Sequence, residues 1–290
     1  MLHILQSTIQ QESSIELIRK VATKFLESPN QDSFDLTQKL YQSIDSVDDT
    51  SVKLSLYNLI IDYSRSHGIM PYIAKGMYQR YLIERNDFSK LKAYYSGKYI
   101  LHYADFLPQQ ERVELYYKLG IHAYNLRLYT ECICHCKMIL AIESGASHHK
   151  VHALGMLRDS YFALGEYEES ELYSLQYKQF DYPNTKENVI LMEALLNAKK
   201  GNIEQSIKQL RLFLESCSNN YTISATNQLL RLYLNQNDLE GAKALLESSK
   251  INPSTINKSN PLICSRYADY LQVQGEYYLA IGDHENGVVT

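Results

Sequence analysis

The stretch VELYYKLGIHAYNLRLYTECICHCKMIL, Val113–Leu140, decides how the chain folds. Tyr116, Leu119 and Ala123 recur at spacings of three and four, one face of a helix. The run breaks near Asn125–Arg127, and a second face follows with Cys132, Cys136 and Ile139. Gly120 and Cys132 are small, so the two helices can approach closely. A pair of short antiparallel helices cannot bury its apolar face alone and must stack against others of its kind.

The pattern recurs. Its register is set by the residue that ends the first helix, with an aromatic or aliphatic residue two positions on and a small one five on. Arg127 is followed in this way by Tyr129 and Cys132, Gly165 by Tyr167 and Ser170, Gly201 by Ile203 and Ser206, and Asn237 by Leu239 and Ala242. Upstream, Asn86 is followed by Phe88 and Leu91; downstream, Gly282 with His284 opens a unit of which only half fits before Thr290. The steps from Asn86 to Gly282 are 41, 38, 36, 36 and 45 residues. Two equal steps mark a repeat, and the spread marks degenerate units with longer loops. The pattern resembles the tetratricopeptide repeat, a helix-turn-helix of ~34 residues. The sequence therefore predicts an all-α, right-handed superhelical solenoid of about six tetratricopeptide-like hairpins, in which each repeat touches only its neighbours.

Composition narrows the function. A net charge of −4 with interspersed signs gives no basic face for phosphate contacts, so no nucleic-acid partner is expected for this segment. Five cysteines, mostly at helix-packing positions, suit a reducing cytoplasm better than a disulfide framework. No signal peptide and no long apolar run is present, so a soluble cytoplasmic protein with no membrane partner is expected. Tyr is abundant at 25 residues and Trp is absent. Tyr supplies a packing ring with a polar tip.

In chain order, SIELIRKVATKFLES before Pro29 is one amphipathic helix, read with residues 1–50 as an N-terminal helical cap. Residues 51–290 form the repeat domain, its last repeat incomplete. KLSLYNLIIDYSRSHG ends on a C′ glycine, Gly68, and Pro71 suits a first helical turn. Ser144–His149 reads as a polar loop before a helix from Val151, and residues 252–261, rich in Asn, Ser and Pro, as a hinge. The final helix, SRYADYLQVQGEYYLAIG, has no complete partner helix to cover Tyr267, Tyr270, Leu271, Tyr278, Leu279 and Ile281, so it is expected to pack on a second copy or fray. The chain is read as shortened at its C-terminus.

Cys132, Cys134, Cys136 and His135 invite a metal reading, because Cys and His are the usual zinc ligands. On a helix, however, Cys132 and Cys136 share a face while Cys134 points away, and no second CxxC completes a site. Their role is packing, and no metal or cofactor is expected. His148 and His149 are read as solvated loop residues. Nothing fixes a nucleophile near a base, and the chain has no phosphate loop, HExxH or nucleophile elbow, so no enzyme is expected.

The long units, the Tyr content and the groove asparagines resemble the peptide-pheromone receptors of Gram-positive bacteria and their phages. These are the Rap, NprR, PlcR and arbitrium-receptor (AimR) proteins, with the AimR and PlcR types favoured and only the repeat domain represented. The resemblance covers residues 50–290 and departs from the family in showing no helix-turn-helix DNA-binding segment. In such an array the groove is lined from the first helix of each hairpin. Here that implies Glu114, Tyr117, Ile121 and Asn125; His152 and Asp159; Asn188; Asn227, Arg231 and Asn235; and Asp269, Gln272 and Glu276. Amides can clamp a peptide backbone whatever its sequence, and Arg231 can take a carboxylate. The candidate peptide-binding residues are thus Tyr117, Asn125, Asp159, Asn188, Asn227, Arg231, Asn235, Gln272 and Glu276. The resemblance implies a short peptide ligand that switches homodimerisation or binding of a protein partner, in quorum sensing, transcription regulation or phage lysis–lysogeny. The alternative is a scaffold that binds a protein segment with no small ligand.

Overall fold

The computed structural model describes residues 2–10, 14–29, 31–85, 90–249, 251, 253–256 and 261–289, and every regular element among them is helical. The chain divides into two compact units, Met1–Gly145 and Ala146–Thr290. The first holds α1 (Leu2–Gln10), α2 (Ile15–Leu26), α3 (Ser33–Ser43), α4 (Thr50–His67), α5 (Met70–Glu84), α6 (Lys90–Tyr99), α7 (Gln109–Asn125) and α8 (Tyr129–Ile142). The second holds α9 (His148–Leu164), α10 (Tyr167–Tyr177), α11 (Thr185–Lys199), α12 (Ile203–Ser216), α13 (Asn219–Asn235), α14 (Leu239–Ser248), α15 (Pro261–Ala280) and α16 (His284–Val289). The packing is that of hairpins: α4 on α5, α7 on α8, α9 on α10, α11 on α12, α13 on α14 and α15 on α16.

The register residues do what their chemistry requires. Arg127, Gly165, Gly201, Asn237 and Gly282 all have positive φ, between 56° and 88°. The residue after each donates its backbone N–H five positions back, as Glu166 does to the Tyr161 carbonyl and Asp238 to that of Tyr233. This closes the helix end and turns the chain into its partner helix. Gly pays little for that conformation; Arg127 and Asn237 adopt it against the preference of a Cβ-bearing residue. The small residues five positions on, Cys132, Ser170, Ser206 and Ala242, are fully buried. Two of them repeat one contact: Ser170 Oγ donates to the Arg158 carbonyl at 2.9 Å and Ser206 Oγ to the Ala194 carbonyl at 2.7 Å. Each bond ties the second helix of a hairpin to its first. The break assigned to Asn86 and Phe88, and residues 252 and 257–260 of the 252–261 linker, lie outside the described residues.

Helices α1 to α3 contribute to the first unit's core. Leu5, Ile18, Phe25, Leu36 and Leu40 join Leu56 and Ile60 of α4 and Tyr72 of α5 in one apolar cluster. Asp32 and Asp49 cap α3 and α4 by accepting two backbone N–H bonds each. The second unit's cluster is built from Ala194, Leu210, Phe213, Leu229, Leu230, Tyr233, Val273 and Tyr277.

Two local expectations are corrected. The segment ending at His149 is not all loop: Ser147 caps α9 by accepting from Lys150 N, so His148 and His149 form the first helical turn. His148 then meets His152 at 4.2 Å and bonds the Tyr182 hydroxyl. The last helix is not wholly uncovered either, since Tyr270 is buried; Leu279 and Ile281 are the residues that stay exposed.

Candidate functional site

The cysteine-rich helix α8 resolves first. Cys132 and Cys136 are buried with their sulfurs 3.9 Å apart, and Cys134 is exposed. Their contact and burial push the Cys136 thiol well above its ordinary range. His135 is buried on Tyr94, whose hydroxyl lies 2.9 Å from Nε2 and 3.3 Å from the Glu131 carboxylate. Lys98 closes the chain with both Glu131 oxygens at 2.7 and 2.8 Å. Burial holds His135 down to about 4, so the ring is neutral at physiological pH. Tyr81 is likewise bonded to His122, at 3.1 Å. The first unit therefore carries chains of bonded polar side chains that reach into its core. Among the described residues no group of three or more Cys, His, Asp or Glu side chains is arranged to hold a metal.

The predicted groove residues divide between the units. Tyr117 and Asn125 belong to α7, where Tyr117 is buried and Asn125 exposed. The other seven belong to the second unit. There Asp159 and Asn188 are brought together through a residue the sequence reading passed over, Arg158. The residue is 3 % exposed, and its guanidinium pairs with Asp159 at 2.7 Å. It also donates to the Asn188 carbonyl at 3.3 Å and lies 5.0 Å from the centre of the Tyr177 ring. Asn188 Nδ2 donates to the Tyr177 hydroxyl. Tyr221 of α13 stands in the same field: burial first, and then the Glu187 carboxylate, push its hydroxyl up to about 12.

Along α13, Asn227, Arg231 and Asn235 share one face at four-residue spacing and pass from buried through half-buried to exposed. Asn227 Oδ1 is shielded from solvent and has no hydrogen-bond partner among the described residues. Arg231 makes no ion pair there. Gln272 and Glu276, on α15, are exposed and bonded to each other at 3.1 Å. No run of equivalent asparagines forms. In the 36-residue register Asn227 corresponds to Leu191 and Gly155, whereas Asn188 corresponds to Ser224 and His152. The amides come from different positions of their repeats.

No protein-family model matches the chain, and a comparison with curated proteins finds no match. Solved structures do match. A tetratricopeptide repeat protein from Parabacteroides merdae is similar over 87% of this chain and 90% of its own, with TM-score 0.63 and 15% identity. A Rap protein complexed with competence and sporulation factor is similar over 99% of this chain and 93% of its own, with TM-score 0.49 and 12% identity. The fold is thus that of a tetratricopeptide-type helical-repeat protein. No described helix is long and apolar enough to cross a membrane.

Proposed function

We propose that the second unit is a receptor for a short, extended peptide, read by the first-helix faces of α9, α11, α13 and α15. The observation that supports this is the unfilled acceptor of Asn227. A buried oxygen without a partner costs about 1–3 kcal/mol, which a ligand N–H recovers. Turning the amide about its last side-chain bond, a broad and soft torsion, presents that oxygen to a peptide backbone. Arg231, one turn along the same face, is placed for a carboxylate of the peptide, while Arg158 is held by Asp159 and fixes Asn188. The receptor acts in the cytoplasm, and ligand binding shifts its association with a second copy or a protein partner by favouring one packing of hairpins over another.

Leu191 occupies the position equivalent to Asn227 one repeat earlier, so Asn227→Leu installs a side chain the fold already accepts there. A hexapeptide library passed over the immobilised protein should yield a preferred sequence at micromolar Kd. Asn227→Leu should lose affinity by about tenfold or more while keeping or raising Tm, by up to about 1 kcal/mol of stability. A wild-type protein that selects no sequence from the library sinks the reading.

A further inference from the structure

The equal repeat steps let two clefts of the second unit be compared position by position. The first, about 180 Å³, lies over α11 between α10 and α12. It is bridged by polar pairs: Lys178 to Glu193 at 3.0 Å and Asn197 to Gln209 at 2.8 Å. The second, about 420 Å³, lies over α13 between α12 and α14. Advancing each residue by 36 turns Lys178 into Leu214, Glu193 into Leu229, Asn197 into Tyr233 and Gln209 into Leu245. All four line the second cleft. Where one repeat closes the gap with charges and amides, the next opens it and lines it with apolar side chains.

One cation lines this second cleft. Arg211, equivalent to Leu175, lies with its guanidinium carbon 5.3 Å from the centre of the Tyr233 ring and donates Nε–H to the Tyr233 hydroxyl. Its two terminal nitrogens make no hydrogen bond or ion pair among the described residues, and Glu215, one turn on and also lining the cleft, does not pair with it. A guanidinium fixed at Nε with both terminal nitrogens open is preorganised to take a carboxylate in bidentate fashion. The Tyr233 hydroxyl, accepting from Arg211, keeps its own proton to donate.

We propose that this cleft is a second binding site, distinct from the Asn227 face, for a carboxylate carried on a short aliphatic group. The chain lies on Leu214, Leu229 and Leu245, and the carboxylate meets Arg211. Such a group can be a free acid or the C-terminal leucine of a peptide. The cleft's volume falls within the range of small-molecule sites, which are mostly apolar with a few converging polar groups.

Calorimetry on the full chain with octanoate, octan-1-ol, acetyl-Leu-Leu and its C-terminal amide tests the site. Octanoate or acetyl-Leu-Leu should saturate one site, and the tighter of the two names the source. Arg211→Gln should weaken both acids by about tenfold and leave octanol within about twofold. Glu215→Gln should tighten the acids. Ala244→Phe, an exposed rim position that fills the cleft without touching the core, should abolish binding of all probes with an unchanged circular dichroism spectrum. No saturable binding of either acid overturns the proposal. So does equal affinity for acids in wild type and Arg211→Gln, or unaltered binding in folded Ala244→Phe.

Discussion

Each unit carries a chain of bonded polar side chains, and each also holds shielded polar atoms with no hydrogen-bond partner among the described residues, such as Glu111 Oε2 and Arg112 Nε in the first and Asn227 Oδ1 in the second. In the first, Lys98, Glu131, Tyr94 and His135 form a chain of bonds that ends inside the core, and Tyr81 with His122 forms a second. In the second, Arg158, Asp159, Asn188 and Tyr177 form a comparable chain, and Asn227 of α13 keeps an acceptor without a partner among the described residues. A polar network whose members are all bonded rigidifies a core. One that stops short of completion leaves acceptors and charges for something else to satisfy. The proposed peptide site rests on one such acceptor, that of Asn227.

The comparison breaks most readily at Gly97. A Cβ there would lie 2.5 Å from the Tyr81 ring, which is itself buried and bonded. Gly97→Val should cost about 3 kcal/mol or more, at the top of the range for overpacking, read as a lower urea midpoint. An unchanged midpoint would mean that Tyr81 is not held in place.

Acid is the next lever. The unfolded His135 titrates near 6.5 and the folded one near 4, so between those values the unfolded chain binds more protons. Stability should therefore be full above about pH 6.5 and fall by about 3 kcal/mol as pH drops toward 4. His135→Gln should flatten that part of the pH–stability curve. If the two curves run parallel, His135 is not a buried neutral ring.

Tyr94→Phe should cost about 1–3 kcal/mol, because it strands His135 Nε2 in the core. The matching change in the second unit, Tyr177→Phe, should cost less, since Asn188 is only half-buried and can turn to water. Urea denaturation of the two variants sharpens or erases the contrast between the units. Arg127→Gly should stabilise by about 0.5–1 kcal/mol, because glycine takes the left-handed conformation of that turn without a Cβ penalty. A loss of stability there would mean that the Arg127 side chain, rather than its backbone, sets the hairpin.

What the sequence displayed was local and periodic. The turn residues and the small residues five positions on were legible because each answers to one backbone requirement, and both recur. The interior network was not legible: Lys98 and Glu131, or Tyr94 and His135, meet across 33 to 41 residues with no period to announce them. Arg158 was missed because a charged residue reads as solvent-facing, whereas its neighbour Asp159 and the Tyr177 ring make burial tolerable. The α9 start was missed because the His148–His149 pair looks like loop until Ser147 is seen to cap it. Of the predicted groove residues, Asp159 and Asn188 both bond Arg158, and no spacing rule revealed that link.

The matched junctions at Gly165, Gly201 and Asn237 make the stretch 165–200 an interchangeable cassette. Each copy leaves one left-handed turn and enters the next with the same closing bond, so a duplicated cassette inserted after residue 200 restores the register on both sides. Because stability in such arrays is a sum of neighbour terms, the added hairpin should fold by templating on its flanks. The cassette would also carry the Lys178–Glu193 bridge of its cleft, whereas Gln209, which bonds Asn197, stays outside it. Repeat number and cleft chemistry can then be varied separately, so the second unit can lengthen without altering the surface it presents at Arg211.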